Sequence, residues 1–420
     1  MSSPFSHSDR IESPHLTGNH QAPAVEELEQ ITSAILARIN AVTPTICDHQ
    51  QESDESRALP ETSYRALRET GALHIAIPRR YGGYETSIAS QLRVSAAVGA
   101  IDGSAGWVTA VLNAAAWGMS IFDRRAQDDV FEDNDCAVCG VLMPNGMAIP
   151  VEGGYRVSGR WPYASGSDHA TWASLAVLVN RDNGMPVDIA AVLLPRADYR
   201  IEDTWFSSGM RRTASNTIVA QDVFVPAYRT ASLRDAARNS SRDEYREHPL
   251  YRAAPGSVLS LALVGPLLGM GRAALDLVIA RSRSRGIAYT GYARQADSVS
   301  FQLQLARAAS KIDTAHLHAY RAAGDIDDAA RLGDELDISH RGRIRSDCAA
   351  AAESITEALN ILMFAHGASG FASASPLQRI WSDANIAARH ALMLPEINYE
   401  IYGKVLLGLE DRVIELTPTL

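Results

Sequence analysis

Residues 155–179, YRVSGRWPYASGSDHATWASLAVLV, decide the fold. Their β-branched and aromatic runs are broken by a Ser-Gly-Ser-Asp turn, and no 3.6-residue apolar period passes through them. Similar runs flank them: CAVCGVLMP at 136–144, DIAAVLLP at 188–195 and TIVAQDVFVP at 217–226. Short runs punctuated by Gly, Pro, Asn and Asp, with no helical pattern between them, predict an antiparallel sheet or small barrel over 136–232. On both sides the pattern is helical. Before the sheet, 25–40, 61–70, 87–100 and 104–121 read as helices, the last carrying Trp107, Asn113 and Trp117, with a Pro/Gly/Tyr loop, HIAIPRRYGGYE, at 74–85. After it, 258–285, 299–321, 336–365, a helix ending at His390, and 396–407 read as a bundle. The chain is therefore mainly α with a β domain: a disordered tail at 1–22, a helical domain at 23–135, the β domain at 136–232, a charged exposed connection over 231–250, and a helical bundle at 250–412.

Composition narrows the function. A length of 420 residues, 46% hydrophobic and 21% charged, suits an enzyme subunit with a large core. The net charge of −10 excludes a nucleic-acid or anionic-membrane partner, which would want a basic surface. No apolar run is expected to reach the roughly 20 residues that span a bilayer, and MSSPFSHSDRIESPHLTGNH lacks the apolar core of a secretory signal. The expectation is a soluble cytoplasmic protein. Cys136 and Cys139 form a CxxC with no second Cys or His pair to complete a metal site, so no metal is expected. No GxGxxG follows a strand, which argues against a nicotinamide site of its own.

The stretch 366–390, HGASGFASASPLQRIWSDANIAARH, combines a small-residue loop holding Gly367 and Gly370 with a helix ending near His390. Such a loop suits close approach to a phosphorylated cofactor, and a histidine suits proton chemistry near neutral pH.

The α–β–α order, with IPRRYGG (77–83), GMRRTASNTIVAQDVFVP (209–226), ALDLVIARSRSRG (274–286) and SPLQRIWSDANI (375–386), resembles the acyl-CoA dehydrogenase superfamily. Dehydrogenases of the usual type place a catalytic glutamate where this chain has Ala391, and alanine cannot remove a C–H proton. GRWPYASGSDHATW (159–172) resembles the flavin-contacting segment of two-component flavin monooxygenases, and His390 falls on that branch's active-site histidine. Ser382 departs from the arginine usual before Asp383.

The resemblance implies the oxygenase component of a two-component flavin-dependent monooxygenase. It would use reduced flavin (FMN or FAD) and O2, through a C4a-hydroperoxyflavin, to hydroxylate an aromatic or polycyclic substrate, with a separate NAD(P)H:flavin reductase as partner and a homotetramer as the assembly. His390, Ser165 and Ser167 are the implied catalytic residues. His390 would deprotonate a phenol or stabilise its phenolate, and the serines would stand near the flavin N5. Placed on an alternating strand, both serines point to one face, so spacing does not choose between them. Trp161, Tyr163, Arg211, Arg212, Ser215, Asn216, Gly367 and Gly370 are candidate cofactor contacts; Trp107, Asn113, Trp117 and His169 are candidate pocket walls. RGIAY, which begins at Arg285, departs from the dehydrogenase pattern and leaves FMN versus FAD open. Two related chemistries remain as alternatives: an N-oxygenase acting on an amine or amino sugar, and an acyl-CoA dehydrogenase or oxidase with a relocated base. A flavin-free scaffold is a reading from another class.

Overall fold

The computed structural model describes residues 24–180, 186–237 and 248–409. The expected tail at 1–22, the middle of the 231–250 connection and the last residues of the expected bundle lie outside them. Helices α1 (Val25–Asp48), α2 (Gln50–Ser56), α3 (Glu61–Glu69), α4 (Ile88–Ile101), α5 (Gly103–Gly118) and α6 (Arg124–Phe131) come first. Strands β1 (Val138–Val151), β2 (Gly154–Ala164), β3 (Trp172–Asn180), β4 (Pro186–Pro195), β5 (Arg200–Glu202), β6 (Asn216–Pro226) and β7 (Thr230–Ser232) follow. The chain then becomes helical again: α7 (Leu233–Ala237), α8 (Pro249–Arg252), α9 (Pro255–Ala262), α10 (Val264–Ser282), α11 (Val299–Leu332), α12 (Ile338–His366), α13 (Pro376–Ala387) and α14 (Pro395–Leu406).

The strands form one sheet in the order β5-β6-β2-β1-β3-β4-β7. It is mixed, which corrects the antiparallel expectation. After the β1–β2 hairpin, the 165–171 turn carries the chain across to the far side of β1, where β3 runs parallel to it (Val138 opposite Trp172). Gly146 and Gly159 make room for the Trp161 ring: a Cβ on Gly146 would sit 2.1 Å from its Cζ2.

Two further boundaries differ from the sequence reading. The single helix expected at 258–285 is divided at Leu263, because Pro266 has no N–H to give the carbonyl of Ala262. The helix expected to end at His390 stops at Ala387; His390 begins a 3-10 turn over Ala391–Met393, and Leu394, extended before Pro395, prevents its continuation.

Helix α5 ties the layers together. Thirteen of its 16 residues are buried, as befits a helix enclosed on all sides. Asp102 caps it, Oδ1 accepting from Ala105 N at 2.9 Å. Val108 and Leu112 pack into the core shared with the sheet, while Trp107 and Trp117 belong to the core of the bundle. Two apolar stretches, Pro255–Ser282 and Ile338–His366, are long enough to cross a membrane, contrary to the expectation that no run is. Their apolar windows are 78% and 56% buried within the bundle, the behaviour of core helices.

Candidate functional site

The segments singled out in the sequence meet where α5, the turn after β2, the loop before β6 and the residues after α13 converge. Ser165 and Ser167 lie in that turn, not on the strand, because β2 ends at Ala164. Gly166, at φ +74°, sits between them, and a Cβ there would press within 3.2 Å of Leu112 on α5. Its N–H is held by Thr213 O at 2.9 Å.

The turn sends the two serines to different partners. Ser167 is fully buried, and its hydroxyl donates to Ala214 O at 3.3 Å. Ser165 is half-buried and joins a chain of hydroxyls: Trp107 Nε1 donates to Ser165 Oγ at 3.1 Å, Ser165 Oγ meets Ser215 Oγ at 2.7 Å, and Ser215 Oγ meets Thr213 Oγ1 at 2.6 Å. Thr213 donates its only hydroxyl hydrogen to Met210 O at 2.9 Å. The hydrogens therefore run one way: Ser215 donates to Thr213 and Ser165 donates to Ser215. Ser165 receives the indole N–H and keeps one lone pair open.

His390 stands next to this chain, its ring centroid 5.7 Å from that of Trp107. Its Nδ1 accepts from Leu392 N at 3.3 Å, which puts the neutral imidazole's proton on Nε2. The ring is open to water yet recessed among protein atoms. That crowding, with the charge of Arg345 second, lowers its pKa to about 4. The near-neutral value expected from the sequence is thereby corrected: at pH 7 His390 is uncharged and Nε2–H is a donor.

Behind the hydroxyl chain lies a network that sequence reasoning missed. The loop carrying Thr213 and Ser215 contains two non-glycine residues at positive φ, Met210 (+51°) and Ala214 (+44°), each costing on the order of 1–3 kcal/mol. Asp383 of α13 holds it, Oδ1 accepting from Met210 N at 2.5 Å, and Ser382 Oγ donates to Ser208 O at 2.7 Å. Gly209 is needed for this approach, since its Cβ would lie 2.4 Å from Ser382 O. Burial pushes the Asp383 carboxyl up to about 6. Arg212, fully buried, pairs with Asp102, the cap of α5, and with Asp54 at 2.8 Å. Asp383 lay inside a quoted motif, so its position was a usable signal. The Asp102–Arg212–Asp54 bridge joins residues far apart in sequence and had none.

Other predicted residues go elsewhere. Trp161 is fully enclosed, its indole donating to Ala176 O at 2.7 Å, and Trp117 is enclosed with its indole donating to Leu250 O at 3.0 Å; both are core residues, with no surface free to meet a ligand. Asn113 is buried, stitching Ala72 O (2.8 Å) and Ala76 N (3.4 Å) to α5. His169 stacks on Tyr64 with centroids 4.0 Å apart and reaches Leu59 O at 2.8 Å. Asn216 Oδ1 accepts from Thr204 N and Trp205 N, and Arg211 is exposed against Ser207 O at 3.1 Å. Gly367, at φ +82°, closes the C-terminal end of α12, and Gly370 packs on the His366 ring. The end of α12 they close is the negative end of its dipole, and the loop then runs on to Ser375, the residue before α13. Arg281 and Arg285 both donate to Ser369 Oγ in that loop, at 2.8 and 3.1 Å. Tyr163, at φ +64°, is exposed and packs edge-on against Trp205 (6.1 Å), with the exposed Phe206 next in sequence.

Comparison with known proteins gives the arrangement its context. Residues 26–128 and 261–395 match the N-terminal and C-terminal domain families of acyl-CoA dehydrogenase. The oxygenase subunit HsaA of a flavin-dependent monooxygenase from Rhodococcus jostii (strain RHA1) is 33% identical over 89% of this chain and 98% of its own length. The chain belongs to the flavin-dependent monooxygenase branch of the acyl-CoA dehydrogenase superfamily. The oxygenase component of the FADH2-dependent resorcinol hydroxylase of Rhizobium sp. (strain MTP-10005) is 32% identical over 90% of this chain and 95% of its own. The structure of XiaF from Streptomyces sp., in complex with FADH2 and glycerol, superposes with a TM-score of 0.88 at 35% identity, over 94% of this chain and 99% of XiaF. This monooxygenase is thus an oxygenase component using reduced flavin and O2, with the acyl-CoA dehydrogenase-like fold.

The residues present fit a flavin. A hydroxyl with its donor committed and a lone pair open, next to the exposed Tyr163, suits a planar ring system that offers an N–H on its edge.

Proposed function

We propose that this oxygenase hydroxylates an aromatic substrate bound beside the Trp107–His390 pair, with reduced FAD placed against Ser165. The observation that carries the reading is the neutral His390 imidazole beside the Trp107–Ser165–Ser215–Thr213 chain, with no carboxylate among the groups that shift its pKa. A dehydrogenase needs a carboxylate at the substrate's C–H bond. Here the reacting position is offered a donor instead.

The chemistry that a bound reduced flavin would supply is transfer of one oxygen atom of dioxygen to the ring, the other leaving as water. The protein's share is placement. Ser165 would accept a hydrogen bond from the N5–H of the reduced cofactor through its open lone pair. Trp107 fixes Ser165 and walls the pocket on the side of His390. His390 Nε2–H would donate to the oxygen of the substrate's ring hydroxyl and stabilise the phenolate left when that hydroxyl gives its proton to solvent, and it is the loss of the proton that makes the ring electron-rich.

Reduced FAD is favoured over FMN by Arg281 and Arg285. Two guanidinium groups converging on one serine hydroxyl suit the pyrophosphate of a dinucleotide flavin, reached by resemblance from a neighbouring subunit. Exposed Leu303, Leu317 and Leu332 of α11 and Phe364 of α12 offer apolar surface for assembly into a homotetramer. The reduced flavin comes from a separate NAD(P)H:flavin reductase. Four free cysteines accord with a cytoplasmic setting. The test supplies FAD, NADH, a flavin reductase, O2 and a panel of phenols including resorcinol. A hydroxylated product from at least one phenol is expected. Complete return of the reducing equivalents as H2O2, with no hydroxylated product from any phenol, overturns the reading.

A further inference from the structure

Three parts of the site are held by one short linker. Residues 57–60 join α2 to α3, and Arg57 closes α2 at φ +58°. Arg57 grips the loop after β5, bonding both carboxylate oxygens of Asp203 at 2.8 and 2.6 Å and donating to Trp205 O at 2.9 Å. Ala58 forms a single antiparallel bridge with Thr213, the last hydroxyl of the chain that begins at Trp107. Leu59 O accepts from His169 Nε2 at 2.8 Å. The linker therefore holds both sides of the Ser165–Ser215 contact, through Thr213 on the loop before β6 and through His169 in the turn after β2.

The surroundings of His169 fix its ring. It lies flat on Tyr64 of α3, centroids 4.0 Å apart and planes 3° from parallel, and its side chain is only 11% accessible. A carbonyl only accepts, so Nε2 carries the hydrogen, while Nδ1 faces Glu61 of α3 at 3.5 Å. The backbone N–H of His169 returns to Gly166 O at 3.2 Å, which passes the ring's anchor to the apex of the turn. Gly166 N–H in turn bonds Thr213 O at 2.9 Å, and Thr213 pairs with Ala58, closing the circuit on the linker. With Met210 and Ala214 at positive φ, the 210–215 loop persists only when its surroundings over-determine it. Asp383 supplies one hold and the linker another.

We infer that His169 is a positioning residue: its Nε2–H bond to Leu59 O fixes the 165–167 turn relative to the 210–215 loop and so sets the Ser165–Ser215 contact. Its consequence for the cofactor rests on the proposed placement of flavin against Ser165; the spacing itself does not.

Two variants of the full chain separate the donor from the ring. In His169→Gln the amide nitrogen takes roughly the place of Nε2 and can still donate to Leu59 O. In His169→Asn the shorter side chain puts it near the place of Nδ1, away from that carbonyl. Amide hydrogen exchange, read by mass spectrometry, is the first measurement. Exchange over residues 163–170 and 210–216 should rise about five- to tenfold in His169→Asn, the effect of losing about one hydrogen bond, and stay near wild type in His169→Gln. The second measurement is the ratio of dissociation constants for oxidised and reduced FAD, titrated aerobically and anaerobically. A merely structural loss weakens both redox states alike and leaves that ratio alone. Loosening of the Ser165–Ser215 contact should lower it about fivefold in His169→Asn, with His169→Gln restoring most of it. Unchanged exchange in His169→Asn, or equal rises in both variants, would overturn the positioning role. A ratio that moves in Ser215→Ala but not in His169→Asn would overturn it as well. Faster exchange with a ratio unmoved in both His169→Asn and Ser215→Ala would instead sink the flavin placement and leave the spacing role standing. Should His169→Asn not fold, wild-type exchange in increasing urea decides: the two segments should open with one common free energy, and independent opening would overturn the role.

Discussion

Replacing Ser215 with alanine tests the hydroxyl chain where it is most exposed to error. Ser215 lies between Ser165 (2.7 Å) and Thr213 (2.6 Å), and Ser215 and Thr213 are 5% and 1% accessible. Each bond contributes about 1 kcal/mol net, so Ser215→Ala should cost about 2 kcal/mol of stability in urea unfolding. The functional effect is more specific. Without Ser215 the hydrogen of Ser165 is released, and the hydroxyl can turn its donor toward the flavin instead of its lone pair. Reduced flavin, which offers an N–H, should lose about one hydrogen bond of advantage over oxidised flavin, which offers an acceptor. At about 1 kcal/mol the ratio of the two dissociation constants should fall about fivefold. Anaerobic titration with reduced FAD and aerobic titration with oxidised FAD give that ratio. Ser167→Ala is the control, because Ser167 donates to Ala214 O and stands outside the chain. An unchanged ratio in Ser215→Ala, or a comparable fall in Ser167→Ala, would refute the assignment of hydrogens and the choice of Ser165.

Three further outcomes are expected. Trp161→Ala should destabilise the protein by about 3–5 kcal/mol, as a large core truncation does, and leave flavin affinity of the folded fraction unchanged; urea unfolding and flavin titration check both. The Asp383 carboxyl, raised to about 6 by burial, binds a proton in the folded state over a pH range where the unfolded chain has released it. Stability should therefore decline as pH rises from about 4 to 6, and Asp383→Asn should remove its share of that slope in urea midpoints measured across the range. In Arg345→Gln the His390 pKa should rise from its depressed value, since one of its two causes is gone; nitrogen-labelled histidine resonances followed through a pH titration report it.

The layout of helices around a sheet was legible because period-2 and period-3.6 patterns differ and the 136–226 runs carry turn chemistry between them. The parallel β1–β3 pairing was not, because strand order depends on where the 165–171 turn crosses, a long-range matter. His390 was found through its motif, yet its height above α13 was misjudged: the Leu394–Pro395 pair that ends the segment acts through backbone geometry. Aromatic residues misled most. Trp107 reaches the site, while Trp117 and Trp161 fill cores, and composition gives the three the same look. The serines separated only once Gly166 was seen as the apex of a turn. The charged supports, Arg212 with Asp102 and Asp54, and Arg345 against Ser260, join elements more than 80 residues apart in sequence; no local pattern announces them.

The central claim is oxygen transfer from O2 to an aromatic ring by a flavin held against Ser165. The direct measurement is turnover under 18O2 with reduced FAD from a flavin reductase and a phenol that the enzyme accepts, followed by mass spectrometry of the product. One 18O atom per hydroxylated molecule is predicted in the wild type, with product yield per flavin oxidised falling sharply in His390→Ala. Product oxygen drawn from water, or anaerobic bleaching of bound FAD by an acyl-CoA in place of any hydroxylation, would contradict the account.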